Sequence, residues 1–340
     1  MKKIKKTIII AEAGVNHNGL IKNIYKLIDI AKKADADYVK FQSFISENLV
    51  TMNAIKAKYQ IKNNKNLHRS QYKMLKKLEL SKNFHKKIIK YCKKKSIQPL
   101  FTAFDDESLK FLKILNLKEI KISSSDVNNF PFLKKIAKLN KITFLSTGMS
   151  DINDIKKALK VMISNGLSKD KIYLLHCNTD YPTKVEDANL NVIKNFRKKF
   201  DLNVGLSDHT LGITAPIIAV ALGAVVIEKH FTINKNMNGP DHRSSLEPKE
   251  LNLMIKEIRN TEKMLGSYEK KITQSERKNL KTVRKSVIAK IDIKKGEKFS
   301  LKNLIIKRPG EGLPPIFLDK LIGKKAYKKF KKDDYIKILK

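Results

Sequence analysis

The sequence predicts an α/β chain: a (β/α)8 TIM-type barrel followed by a small β-rich module. Three observations carry the prediction. Short apolar runs alternate with amphipathic stretches eight times between Ile8 and Leu265, the count of a closed barrel. Each apolar run is followed by a polar cluster at its C-terminal end, the side on which barrel enzymes keep their chemistry. After Leu265 the rhythm stops, and short runs broken by turn residues take over.

The runs read as strands are Ile8–Ala11, Tyr38–Phe41, Pro99–Phe101, Glu119–Ile122, Ile142–Leu145, Ile172–Leu175, Val204–Leu206 and Ala224–Ile227. The amphipathic stretches read as helices are Ile24–Ala34, Asn83–Lys94, Ser108–Leu115, Phe132–Leu139, Ile152–Ser164, Leu190–Phe200, Ile213–Leu222 and Pro248–Leu265. An open doubly wound sheet is the alternative, and no GxGxxG supports it. Ser43–Leu80 is too long for a simple βα loop and reads as an active-site lid or insertion. Lys270–Lys281 is charged and polar and reads as a linker. Beyond Val283 the short runs Ser286–Ala289, Ile293–Glu297 and Leu304–Gly310 read as strands and turns, a fold marginal on its own at about 60 residues.

A chain of 340 residues suits one barrel of about 250 residues plus a module. No apolar run reaches the length of a membrane span. The basic start Met1–Lys6 is followed by an apolar stretch too short for a signal peptide and interrupted by Glu12, so a cytoplasmic protein is expected. Cys92 and Cys177 form no CxxC pair and fit a reducing compartment; both read as buried, inert thiols, with a place near a site as the alternative for Cys177 at its strand end. The formal charge of +39 invites a nucleic-acid reading. Against it, the positive residues are nearly all Lys and are scattered over every helical stretch, whereas base and phosphate readers favour Arg. No nucleic-acid partner is expected, although the field favours anionic substrates.

The stretch from Gly205 to Asp241 organises the polar clusters. Two apolar runs, joined by a helical segment, end in Ser207-Asp208-His209-Thr210 and Glu228-Lys229-His230-Phe231. Parallel neighbours lie about 4.8 Å apart, so His209 and His230 can converge on one ion. They read as a metal pair, although two histidines make only half of a tetrahedral site. Lys40 and Lys121 follow apolar strand residues directly, which places two ammonium groups near the barrel mouth. An anionic ligand is their natural complement; a Schiff base is the rival use. Thr102, Ser124, Ser146, Thr147 and Ser207 add hydroxyls for a phosphate or carboxylate cradle, each with a helix N-cap as the plainer role. Arg308, beside Pro309-Gly310, reads as a surface charge or as a cap over substrate.

Taken together, Glu12-Ala13-Gly14-Val15-Asn16-His17-Asn18-Gly19, Ser146-Thr147-Gly148-Met149, Gly205-Leu206-Ser207-Asp208-His209, Glu228-Lys229-His230-Phe231-Thr232, Gly239-Pro240-Asp241 and Lys307-Arg308-Pro309-Gly310 resemble the signatures of the sialic acid synthase family, the N-acetylneuraminate synthases and their legionaminate synthase relatives. The resemblance implies a barrel over 1–268, a linker over 269–282 and an antifreeze-like (SAF) domain over 283–340, in a homodimer whose exchanged C-terminal domains cap the partner's site. It implies condensation of phosphoenolpyruvate with N-acetylmannosamine to a nine-carbon 2-keto sugar acid and phosphate. The alternative acceptor is 2,4-diacetamido-2,4,6-trideoxymannose, for a legionaminate synthase; a Schiff-base barrel aldolase is the remoter reading. His209 and His230 match positions that hold a divalent ion, Mn2+ first, with Mg2+ or Co2+ as alternatives. Glu12 matches a carboxylate that assists proton transfer or stabilises a cationic centre. Lys40, Thr102, Lys121, Ser124, Ser146 and Ser207 match positions holding the phosphate and carboxylate of phosphoenolpyruvate. Gln42, Tyr181, Asp241 and, from the partner chain, Arg308 match sugar contacts, and Thr179 and Asp126 join the expected substrate-binding set. Ser123-Ser124-Ser125-Asp126 and Phe101-Thr102-Ala103-Phe104 depart from the family's pattern. Both departures bear on acceptor preference and spare the histidines and lysines.

Overall fold

A computed structural model describes residues 6–57, 60–61 and 69–337. They fall into two compact units, Met1–Gly266 and Ser267–Lys340. In the first unit, strands β1 (Ile8–Gly14), β2 (Tyr38–Ser43), β3 (Gln98–Ala103), β4 (Glu119–Ile122), β5 (Ile142–Ser146), β6 (Ile172–Cys177), β7 (Asn203–Asp208) and β8 (Val226–His230) close into a barrel in sequence order. Every neighbouring pair is parallel, including β1 with β8. Helices such as Ile21–Lys33, Lys82–Lys95, Ile152–Ser164 and Pro248–Leu265 follow the strands. The closed barrel agrees with the sequence reading, and Glu119–Ile122 and Pro248–Leu265 agree with it to the residue.

Seven of the strands run beyond the ends read from the sequence, and the reason matters for function. Apolar content stops at Ala11, Phe41 or Leu175, but the backbone ladder continues through Glu12, Gln42 and Cys177. The polar residues expected in loops are the last rungs of the strands. Side chains alternate along a strand, so Ile9, Val39, Phe101, Leu145, Leu174 and Ile227 pack outward into one large core with the helices. Ile10, Leu100, Phe144, Tyr173, Leu175 and Val226 point inward and form a separate apolar cluster inside the barrel. One inward step further up the strands stand Glu12, Lys40, Thr102, Lys121, Ser146, Cys177 and Glu228, all buried.

The segment read as a lid begins with a short helix, Ser46–Leu49, and ends with another, Gln71–Lys76; 58–59 and 62–68 lie outside the described residues. Phe44, Met74 and Leu78 pack with Val15 in a small core of their own.

In the second unit, antiparallel strands β9 (Ser286–Ala289) and β10 (Leu304–Lys307) sit over a core of Val287, Ile293, Phe299, Leu304, Leu321, Phe330 and Ile336. Ile293–Glu297, one of the runs read as strands and turns, makes one bridge at Ile293 and then turns, with Gly296 at φ +84°. Glycine adopts that left-handed conformation without the clash a Cβ brings. The charged stretch read as a linker carries two short helices, Gln274–Arg277 and Leu280–Val283. Among the described residues no helix is long and apolar enough to cross a membrane.

Candidate active site

The upper ends of the barrel strands enclose a cavity of about 290 Å³. Strand register builds its floor. Glu12 lies opposite Lys40 on one side and His230 on the other. Gln42 is paired with Thr102, Thr102 with Lys121, Cys177 with Ser207 and Ser207 with Glu228. All of these side chains line the cavity.

The two lysines come with carboxylate partners from this chain, which corrects the reading that only a ligand balances them. Lys40 Nζ lies 2.9 Å from Glu12 Oε2 and 3.5 Å from Glu228 Oε2. Lys121 Nζ lies 3.2 Å from Glu228 Oε1. Lys40 also donates to Thr102 Oγ1 at 3.2 Å, Lys121 to Ser146 Oγ at 2.8 Å, and the Ser207 hydroxyl to Glu228 at 2.8 Å. Burial and the adjacent Glu228 carboxylate push Glu12 up to about 7 against the pull of Lys40. Burial also opposes ionisation of Glu228, but Lys121, Lys40 and the Ser207 hydroxyl outweigh it and hold the group at about 2. Two carboxylates on one floor are thus split into a permanent anion and a group that exchanges its proton near neutrality.

His209 and His230 face each other with ring centroids 5.4 Å apart. His209 Nδ1 is 2.6 Å from the Asn178 carbonyl oxygen. A carbonyl only accepts, so Nδ1 carries the proton and Nε2 keeps its lone pair. Burial, His209 and Lys40 depress His230 well below its ordinary value, which leaves a neutral imidazole, the form that binds metals. Its buried Nδ1 has no hydrogen-bond partner among the described residues. Tyr181 stacks on His209 at 4.0 Å between centroids and meets His230 edge-on at 5.7 Å. The donor chemistry of two imidazoles fits a first-row divalent ion. Burial lowers His209, but Cys177, the Asn178 carbonyl and Asp208 outweigh it and the net shift is upward, so such an ion would displace a proton from His209. Among the described residues no group of three His, Cys, Asp or Glu side chains is placed to hold an ion, so the remaining positions would fall to substrate or water.

Between the histidines lies a brace that the sequence reading quoted without assigning. Lys229, on the outward face of β8 with a fully buried side chain, donates to Asp208 Oδ2 and to the Thr210 carbonyl. Asp208 also accepts from the Thr210 amide. A buried ammonium needs such partners, and this one ties the residue before His209 to the residue before His230.

Of the expected residues, Glu12, Lys40, Gln42, Thr102, Lys121, Ser124, Ser146, Thr179, Tyr181, Ser207, His209, His230 and Asp241 all line the cavity. Asp126 does not: it is buried and accepts from Asn129 at the start of the next helix. Its carboxylate turns into the protein and is absent from the cavity lining. Thr147 spends its hydroxyl on the Leu175 carbonyl. Arg308 lies in the C-terminal unit, just past β10. Gly148 is needed where it stands, because a Cβ there would sit 2.2 Å from Thr179 Oγ1 and 3.0 Å from Ser124 Oγ.

Two residues were underread. Glu228 stands two places before His230, so period-2 alternation puts both on the inner face; that parity was available in the sequence. Cys177, read as inert, lines the cavity with its Sγ 3.9 Å from His209 Nδ1. Burial pushes its thiol up, but His209, Ser124 and Lys121 together outweigh it and the net shift is downward. Cys92 fits the inert reading, pushed up to about 12 by burial. The lining also includes Val15, Leu49, Val50, Met74, Leu75, Leu78 and Phe104, with Gln60 and Gln71 among them. Most of these come from the insertion after β2.

Comparison with known proteins matches residues 27–270 to the NeuB family model and 284–338 to the SAF domain. The N,N'-diacetyllegionaminic acid synthase of Campylobacter jejuni is 50% identical over 334 residues, covering 98% of this chain and 100% of that protein. The enzyme of the same name from Legionella pneumophila is 42% identical, over 93% and 89% of the two chains. The crystal structure of N-acetylneuraminic acid synthetase from Leptospira borgpetersenii superposes with a TM-score of 0.71 at 32% identity, covering 81% of this chain and 90% of that one.

Proposed function

Because the chain belongs to the NeuB family of synthases, we propose that it condenses phosphoenolpyruvate with 2,4-diacetamido-2,4,6-trideoxymannose. Water is consumed, phosphate leaves, and a nine-carbon 2-keto acid of the legionaminate type forms. The observation that carries the reading is the mixed cavity lining: lysines, hydroxyls and the histidine pair from the strand ends, with a largely apolar set from the insertion after β2. Lys40, Lys121, Thr102, Ser146 and Ser207 supply the cations and donors that a phosphate and a carboxylate require. The apolar set suits an acceptor with a methyl group in place of a hydroxymethyl and a second acetamido group, and two relatives of this chain carry the matching name.

A divalent ion held by His209 and His230, Mn2+ in the first instance, would supply Lewis acidity at the acceptor aldehyde. The chain's own residues do the rest. Lys40 and Lys121 orient the enol phosphate beside the histidines and balance its charge. Glu12, poised near 7, takes up or returns the proton that accompanies attack at the enol carbon. Tyr181 and the apolar set exclude bulk water. Gln42, Thr179 and Asp241 hold the acceptor, and Arg308 reaches the site from the partner in an exchanged homodimer.

The test is phosphate release from phosphoenolpyruvate with Mn2+ and either sugar. Faster release with the diacetamido sugar than with N-acetylmannosamine is expected. The reverse order turns the acceptor assignment to N-acetylmannosamine, and no release with any amino sugar sinks the synthase reading. Borohydride should trap no pyruvate on Lys40 or Lys121, since each ammonium sits within 3.5 Å of a carboxylate.

A further inference from the structure

Two loops, one after the first barrel strand and one after the last, are bound into each other by a buried polar network. Asn16 donates from Nδ2 to the Phe231 carbonyl at 2.8 Å and to Ser245 Oγ at 2.9 Å. Ser245 in turn donates to the Asp241 carbonyl at 2.7 Å. Asn18 donates to the Asn238 carbonyl at 3.0 Å, so its Oδ1 faces His242 Nε2, 3.2 Å away. With Nε2 donating, His242 Nδ1 accepts from Thr232 Oγ1 at 2.6 Å. The roles are mutually consistent: Asn16 Nδ2 has a proton for each of its two acceptors, and the Thr232 hydroxyl is shared between His242 Nδ1 and, at 3.3 Å, the Asn234 carbonyl. Asn16, Thr232, His242 and Ser245 are at most 1% exposed. Gly239 lets the loops close, since a Cβ there would stand 2.6 Å from His242 Cδ2 and 3.0 Å from Asn18 Oδ1.

Between the two grips lies Asp241. Ser245, held by Asn16, fixes its carbonyl, and His242, held by Asn18, is the next residue. The Asp241 side chain lines the cavity, as does neighbouring Pro240. None of the network touches Lys40, Lys121, Ser146 or Ser207 through a hydrogen bond. Directional hydrogen bonds fix the relative position of the two loops, although the buried Asn16 Oδ1 has no hydrogen-bond partner among the described residues.

We propose that Asn16, Asn18 and His242 form a latch that positions Asp241 against the acceptor sugar, and that the latch sets affinity for the acceptor without setting affinity for phosphoenolpyruvate. The inference rests on the synthase reading above. The residues of the latch touch no substrate; they act through Asp241, and a displacement of a few tenths of an ångström there is enough to matter.

The experiment is steady-state kinetics on the full-length chain and on Asn18→Ala, Asn18→Gly, His242→Ala and His242→Gln, varying each substrate in turn, with Tm measured beside them. His242→Ala should raise KM for the acceptor about tenfold, with KM for phosphoenolpyruvate within about twofold. His242→Gln, which keeps a donor near the Nε2 position, should recover part of the loss. Asn18→Gly removes a half-buried partner without straining the positive-φ backbone there and, run beside Asn18→Ala, keeps the test usable if His242→Ala does not fold. Equal rises in both KM values, or an unchanged acceptor KM in a folded Asn18 variant, overturn the latch while the synthase reading stands. Absence of turnover by the unmodified chain removes that reading and the latch's role with it.

Discussion

Two levels inside the same barrel, one strand repeat apart, are built on opposite principles. The lower level, with Ile10, Leu100, Phe144, Tyr173, Leu175 and Val226, is a plug whose aromatic rings interlock: Phe144 meets Tyr173 at 5.1 Å and Tyr38 at 6.0 Å. The upper level replaces it with Glu12, Lys40, Lys121 and Glu228, all as deeply buried. Apolar burial stabilises a barrel by about 25 cal/mol per Å² removed from water, whereas buried charges cost more than they return unless every one is partnered. The upper level therefore carries function at the expense of stability. It is tolerable because the lower level closes the barrel beneath it and because four charges neutralise one another across three strands and β8.

The contrast is sharpest at the histidines. His209→Ala and His230→Ala should each lower turnover by at least about a thousandfold while leaving Tm within a few degrees, since neither ring fills the plug. Near-wild-type rates in either variant would end the metal-pair assignment. In the plug the order of effects inverts. Phe144→Ala should cost roughly 3–5 kcal/mol in denaturant unfolding, with kcat per folded molecule changed by less than about threefold. A collapse of kcat at unaltered stability would show that the two levels are not separable.

The smallest effects separate the two carboxylates, and they run in opposite directions with pH. Glu12 titrates near 7 in the folded chain against an ordinary 4.5, so the folded form binds more protons between those values. Its contribution is complete below about 4.5 and is lost as pH rises through 7. Glu228 titrates near 2 against 4.5; its contribution is complete above 4.5 and is lost as pH falls towards 2. Glu12→Gln should therefore raise Tm at pH 8 by a few degrees and leave it unmoved at pH 4. Glu228→Gln should lower Tm at pH 8, with the loss shrinking at pH 3. Thermal melts of the two variants across that range check both signs, and parallel curves would refute the division of roles.

Much of the fold was legible because periodicity is local. Eight apolar runs and the amphipathic stretches between them needed no partner to be recognised, and the clusters holding His209, His230, Lys40 and Lys121 stood at the strand ends. Asp126 was misplaced because no local pattern says which way a side chain turns at the head of a helix; Asn129, three residues on, claimed it. Cys177 was underrated because its neighbour His209 is 32 residues away in sequence.

By itself, then, the sequence determined the strand count, the closure of the barrel, the break near Leu265 and the floor residues other than Glu228 and Cys177. These follow from residue-by-residue preference for burial and from the two-residue repeat of a strand. Only the tertiary structure decided that Glu228 lies between both lysines, that Lys229 is locked to Asp208, and that Asn18 closes on His242. Those pairings join residues whose separation depends on strand register, and register is fixed by the packing of the whole barrel.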